Sequence, residues 1–126
     1  MAKKSQLKLR AKVWVQGGDS KAVLTEAGAD LLEQIEACGS LSEAARRLGY
    51  AYRRAWMLVD GLNKGWGQPM VQATTGGRHG GGAVLTPLGR ALLGAYRDVQ
   101  IHVEHAVDEA AGGFVRAVEQ GARDQK

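Results

Sequence analysis

Three short stretches of helical periodicity, separated by single glycines, do most to constrain what this chain can fold into. Leu24, Gly28, Leu31, Leu32 and Ile35 fall on one helical face, with Asp30, Glu33, Gln34 and Glu36 off it, so a helix starts at about Thr25. Gly39 stands where a helix end commonly takes a left-handed residue. "SLSE" (40–43) follows directly. Ser40 and Glu43 have capping-box spacing, in which each side chain satisfies an N–H of the new helix. Leu41, Ala44, Ala45 and Leu48 then form a stripe barely two turns long, Gly49 breaks it, and a third helix runs from about Ala51 to Asn63. Two short helices joined by a tight glycine turn, the first rich in small residues so that the second can cross closely over it, are the sequence form of a helix-turn-helix.

The flanks are of a different kind. "LKLRAKVWVQ" (7–16) alternates strictly, Leu7, Leu9, Ala11, Val13 and Val15 against Lys8, Arg10, Lys12, Trp14 and Gln16, which predicts a half-buried strand. "GGDS" supplies a turn and "KAVL" a short return, so a hairpin is expected over residues 1–24. "MVQATT" (70–75) and "AVLT" (83–86) read as two short strands around "GGRHGGG". Thr86-Pro87 starts a last helix well, with Thr as cap and Pro in the first helical position. Leu92, Tyr96, Val99, Val103, Ala106 and Ala110 give that helix a heptad-like seam, the candidate dimer interface, which Gly112-Gly113 is expected to interrupt before a frayed end.

The expected fold is therefore α+β and mainly helical. A winged helix-turn-helix core (25–86) follows the N-terminal hairpin (1–24) and precedes a long C-terminal dimerisation helix (87–126). At 126 residues and 44% hydrophobic content the chain supports one modest core. The net charge of +4 is uneven, with 13 Lys/Arg against 7 Asp/Glu in residues 1–90 and 4 against 6 in residues 91–126. Such a distribution suits a polyanionic partner for the first three quarters. Cys38 is the single cysteine, which fits a reducing compartment, and no stretch approaches the ~18 apolar residues of a membrane span, so a cytoplasmic protein is expected.

Projection of the third helix puts Ala55, Leu58, Val59 and Leu62 on one side, with Arg53, Met57, Asp60 and Lys64 opposite and Arg54 on the flank. The second helix of a helix-turn-helix offers its N-terminal residues to base edges, and an arginine fork matches the guanine O6 and N7 acceptors. Arg53, Arg54 and Met57 are the expected reading residues. Trp56 lies at the edge between faces and is expected to pack in the core or under the turn. The glycine stretch admits three readings: a phosphate-binding loop, a linker or a hairpin wing. A phosphate-binding loop needs Lys and Ser/Thr after the last glycine and then a helix, whereas Ala83-Val84-Leu85 follows here. Strand character on both flanks disfavours a linker, which leaves a wing with Arg78 as cation and His79 as a donor when protonated. Lys8, Arg10 and Lys12 share one strand face with Trp14, expected as a solvated face, with an auxiliary phosphate surface or a partner contact as the alternative. His102, His105 and Asp108 recur at i, i+3, i+6 and are read as polar positions beside the seam rather than metal ligands. No residue set suggests catalysis, a metal or a cofactor.

"LLEQIEACGSLSEAARRLGYAYRRAW", "TTGGRHGGGAVLTPLGRALLGAY" and the preceding "LKLRAKVWV" resemble the N-terminal DNA-binding domain of the ModE family of molybdate-dependent transcriptional regulators, itself similar to LysR-type domains. The resemblance covers about residues 7–100. It implies a homodimer on an inverted-repeat operator in double-stranded DNA, with Tyr52, Arg53, Arg54, Thr75, Arg78 and His79 near the duplex. With Ser42 and Met57 these make up the candidate DNA-binding set. Two departures stand out: Ala51 where the family commonly has Ser, and His79 where it usually has Gly. The chain ends about 25 residues after the match, short of the C-terminal oxyanion-binding domains of molybdate sensors. Sensing by a separate protein is one expectation; ligand-independent regulation and an effector bound elsewhere are the others. An architectural DNA binder and a protein-interaction module built on the last helix remain the alternatives.

Overall fold

The computed structural model describes residues 7–18, 22–75 and 82–125. The elements run β1 (Val15–Gln16), β2 (Ala22–Leu24), α1 (Glu26–Cys38), α2 (Leu41–Leu48), α3 (Tyr52–Gly65), β3 (Val71–Thr74), β4 (Gly82–Leu85) and α4 (Pro87–Asp124). They fall into two units, one of Trp14–Arg97 and one of residues 7–13 with the helix from Asp98 onward.

In the first unit the helix ends follow the local chemistry. The Thr25 hydroxyl accepts from Gly28 N at 3.3 Å to start α1, and Gly39, at φ 69°, ends it with its N–H on Ile35 O. The Ser40 hydroxyl accepts from Glu43 N at 3.2 Å to start α2, which ends at Gly49 with φ 71°. Both glycines occupy the left-handed region that a Cβ disfavours, so two helices reverse direction within a few residues. The capping box is only half formed. The Glu43 carboxylate turns away from the backbone to Arg46 Nε at 2.9 Å and Arg47 Nε at 3.3 Å. Two fully charged guanidinium groups one turn away outcompete a single backbone N–H.

The core is built from Leu24, Leu31, Leu32, Ile35, Met70, Leu85, Leu93 and Tyr96, all buried. Ala44, Ala45 and Ala55 are buried where α2 packs on α3, and side chains this small let the two backbones approach. β3 and β4 pair antiparallel from Val71↔Leu85 to Thr74↔Gly82, close to the strands expected from the sequence. Ala83 N donates to Gly39 O at 2.9 Å, which ties the wing to the turn between α1 and α2. Thr86 caps α4 by accepting from Gly89 N at 3.0 Å while its hydroxyl donates to Pro69 O at 2.8 Å. A Cβ on Gly89 would lie 2.2 Å from Met70 O, so the first turn of α4 rests directly on backbone. Arg97 then binds Asp30 at 2.8 Å and Glu33 at 3.3 Å, joining α4 to α1.

The N-terminal hairpin is much shorter than its alternation predicts. β1 has two residues, pairs with β2 in an irregular register, and residues 7–14 lie in no strand. Leu7, Leu9 and Ala11 are exposed. Period-two patterning specifies a face but not a partner, and the return strand is three residues long. In the second unit, α4 continues through Gly112-Gly113 without a break. Each glycine costs about 1 kcal/mol relative to alanine in a helix but blocks nothing sterically. Val103, Val107, Ala111 and Val115 form its half-buried stripe. No described helix is long and apolar enough to cross a membrane.

Candidate nucleic-acid interface

α3 presents two chemically distinct sides. Ala55 and Leu62 are buried and Leu58 and Val59 half-buried, as the helical projection requires. Tyr52, Arg53, Arg54 and Met57 are exposed on the other side, Met57 to 58%. Lys64 is paired with Asp60 at 2.9 Å, one turn apart, which offsets its charge. Arg53 has no hydrogen bond or ion pair among the described residues. Arg54 stacks its guanidinium over the Tyr50 ring at 4.2 Å, an arrangement that restricts the side chain. Positive charge is thus concentrated in the first turn of α3.

Trp56 corrects the sequence reading. It is 52% exposed, not packed in the core. At 100° per residue it sits on the boundary between faces, and coverage there depends on which neighbour reaches it. Trp66, by contrast, donates its indole N–H to Val23 O at 3.3 Å.

The starts of the first three helices also differ. α1 and α2 have side-chain caps and an acid in the first turn, Glu26 and Glu43. α3 starts at Ala51 with neither. Its leading N–H groups are left for solvent or for an anion, and the helix dipole favours the anion. On α2, Ser42 is exposed, while hydrogen bonding to Arg46 first, then its charge and Arg47, hold the Glu43 carboxyl down at about 2.

The wing is fixed to α3 by a residue that sequence reasoning passed over. Asn63 Oδ1 accepts from Met70 N at 2.7 Å and Val71 N at 3.3 Å, and its Nδ2 donates to Val71 O at 3.3 Å. Nothing in the helical pattern distinguishes Asn63 from a solvated polar position; the i+7 and i+8 partners appear only once the chain has turned at Gly67. Thr75, at the wing's leading end, is exposed. Arg78 and His79 lie outside the described residues. A cavity of about 110 Å³ between β2, α1 and α3 is lined by Val23, Leu24, Thr25, Gly28, Met57, Leu58, Gly61 and Leu62, with no ionisable group to hold an anion.

The predicted seam on α4 is not uniform. Tyr96 is 3% exposed and belongs to the core of its own unit, so it is unavailable to a second chain. Leu92 and Val103 are half-buried, whereas Val99, Ala106 and Ala110 are exposed. Heptad spacing marks an apolar stripe without saying whether the partner lies in the same chain. His102 Nδ1 lies 2.8 Å from its own helix's Asp98 O, and no group of three His, Cys, Asp or Glu among the described residues is placed to hold a metal.

Residues 30–90, from within α1 through the wing into α4, match the family model described as the bacterial regulatory helix-turn-helix protein, LysR family. The Molybdenum transport protein ModE of Azotobacter vinelandii is 35% identical over 106 residues, 79% of this chain and 39% of that protein. The chain carries the ModE-family winged helix-turn-helix domain. MopB of Rhodobacter capsulatus, a molybdenum-pterin-binding protein, is 45% identical over 58% of this chain and 27% of its own length. ModE of Escherichia coli K12, a DNA-binding transcriptional dual regulator, is 39% identical over 52% of this chain and 25% of its own. The chain therefore spans between a quarter and two fifths of the length of these ModE-family relatives. Among solved structures, Corynebacterium glutamicum OxyR C206 mutant superposes with a TM-score of 0.50 at 20% identity, covering 67% of this chain and 25% of that one, which supports the fold alone.

Proposed function

We propose that this ModE-family domain is the sequence-specific DNA-reading part of a transcriptional regulator linked to molybdenum or oxyanion metabolism, acting as a homodimer in the cytoplasm. One observation carries the reading: the first turn of α3 has exposed Arg53 and Arg54, no acid and no side-chain cap, while the charge of Lys64 further along is paired. An exposed helix start of this kind suits a polyanion entering along it. Arg53, Arg54 and Met57 face base edges in the major groove. Ser42, Tyr52 and the wing, with Thr75, Arg78 and His79, contact the sugar-phosphate backbone and fix the register.

Dimerisation uses the exposed part of the α4 stripe, Val99, Ala106 and Ala110, with Leu92 and Val103 at its margin. The relatives' names tie them to molybdenum, and molybdate response, through this polypeptide or a separate sensor, is part of the proposal. Selection of randomised duplexes by the purified protein at near-physiological salt tests it. Enrichment of an inverted repeat with half-sites about one helical turn apart (~34 Å) is expected. Recovery of DNA without a motif would make the protein an architectural binder. No recovery would make it a protein-interaction module.

A further inference from the structure

Trp56 is the largest exposed side chain on α3, and the reading by arginines gives it no role. Tyr52, one turn earlier, is 56% exposed, and Met57 beside it 58%. Three large side chains are thus exposed within six residues of the helix start, where the arginines stand. The Trp56 indole N–H has no partner among the described residues, unlike that of Trp66 on Val23 O. Tyr52, Trp56 and Asn63 are spaced i, i+4 and i+11 and so share one flank of α3, the flank from which Asn63 holds β3. Trp56 therefore lies toward the wing, next to the cationic Arg53.

The structure assigns Trp56 as a specificity-determining residue whose ring packs against a thymine C5-methyl in the major groove. This rests on the DNA-reading proposed above. Among the atoms that base pairs present in the major groove, the thymine methyl is the apolar one, so an apolar ring beside an arginine that takes guanine acceptors discriminates thymine from cytosine at a neighbouring step. Arg53 and the acid-free start of α3 make nucleic acid, rather than an apolar protein surface, the complementary occupant.

The test replaces thymidine with deoxyuridine, one position at a time, across the selected operator, and measures Kd for the full chain, Trp56→Ala and Trp56→Phe. Deoxyuridine keeps every hydrogen bond and removes only the methyl. Wild type should lose about fourfold affinity at one thymine per half-site, the worth of one buried methyl. Trp56→Ala should show no loss there, and Trp56→Phe, which keeps an aromatic ring, should retain part of it. Thermal unfolding of both variants checks that they fold; an exposed side chain predicts Tm values near wild type. Equal losses in wild type and Trp56→Ala at every position, or no loss in either, would overturn the assignment while leaving the operator and the arginine readout intact. A wild-type protein that selects no motif would overturn the DNA-reading account itself, and this inference with it.

Discussion

Asn63 Oδ1 accepts the Met70 N–H at 2.7 Å, so the far end of α3 holds the first strand of the wing by a side chain. The same amide receives Val71 N and donates to Val71 O. In the proposed reading, α3 meets base edges and the wing meets the sugar-phosphate backbone, and this amide ties the two elements together. Asn63→Ala leaves partly buried backbone groups unpaired and should destabilise the fold by about 1–3 kcal/mol. Urea unfolding measures the loss, and hydrogen exchange at Met70 and Val71 should accelerate more than in α1. Equal acceleration throughout would mean that Asn63 stabilises the domain without positioning the wing.

Gly89 should be far less tolerant than Gly94, five residues along the same helix. A Cβ at Gly89 meets Met70 O at 2.2 Å, whereas one at Gly94 meets nothing within 4 Å. Gly89→Ala should destabilise by more than ~2 kcal/mol because Met70 O is backbone and cannot swing away. Gly94→Ala should stabilise by about 0.5–1 kcal/mol. Paired Tm measurements decide, and a similar effect at the two sites would refute the close approach.

Ala51 separates stability from binding. Ala51→Asp supplies the missing cap of α3 and should stabilise the fold by about 0.5–2 kcal/mol. The same carboxylate stands at the helix start where a phosphate is proposed, so DNA affinity should fall. Raised Tm with unchanged affinity would place the backbone away from this helix end.

Glu43 governs how much charge α2 offers. Hydrogen bonds from Arg46 first, and the charges of both arginines, hold its carboxyl at about 2. A depressed folded-state value contributes stability that is present above the unfolded value of about 4.3 and is lost as pH falls through about 2. Carboxyl chemical shifts followed by NMR should titrate near 2. Glu43→Gln removes the charge that neutralises Arg46 and Arg47 on a helix proposed to lie along the DNA backbone, and should raise affinity and steepen its salt dependence. An ordinary midpoint, or an unchanged salt slope, would show that the pairing does not limit α2.

Much of this was legible in the sequence because it is local. The Gly39 and Gly49 stops, the Ser40 and Thr86 caps, the start of α1 near Thr25 and the core side of α3 each depend on residues within a turn or two. What was misread depends on partners elsewhere. Residues 7–14 alternate but find no ladder, Tyr96 keeps heptad spacing yet packs inward, and Trp56 sits at a boundary that sequence cannot assign. Glu43 had two local options, and charge selected the arginines over the cap. Asn63 was silent because its partners follow a turn.

The central claim is that α3 reads base sequence through Arg53, and the most direct measurement compares Kd for the selected operator and for a scrambled duplex, at one salt concentration, in wild type and Arg53→Ala. The account predicts a loss of about 1–3 kcal/mol on the operator, with little change on the scrambled duplex, so that the preference itself shrinks. Equal losses on both duplexes, or none, would contradict it.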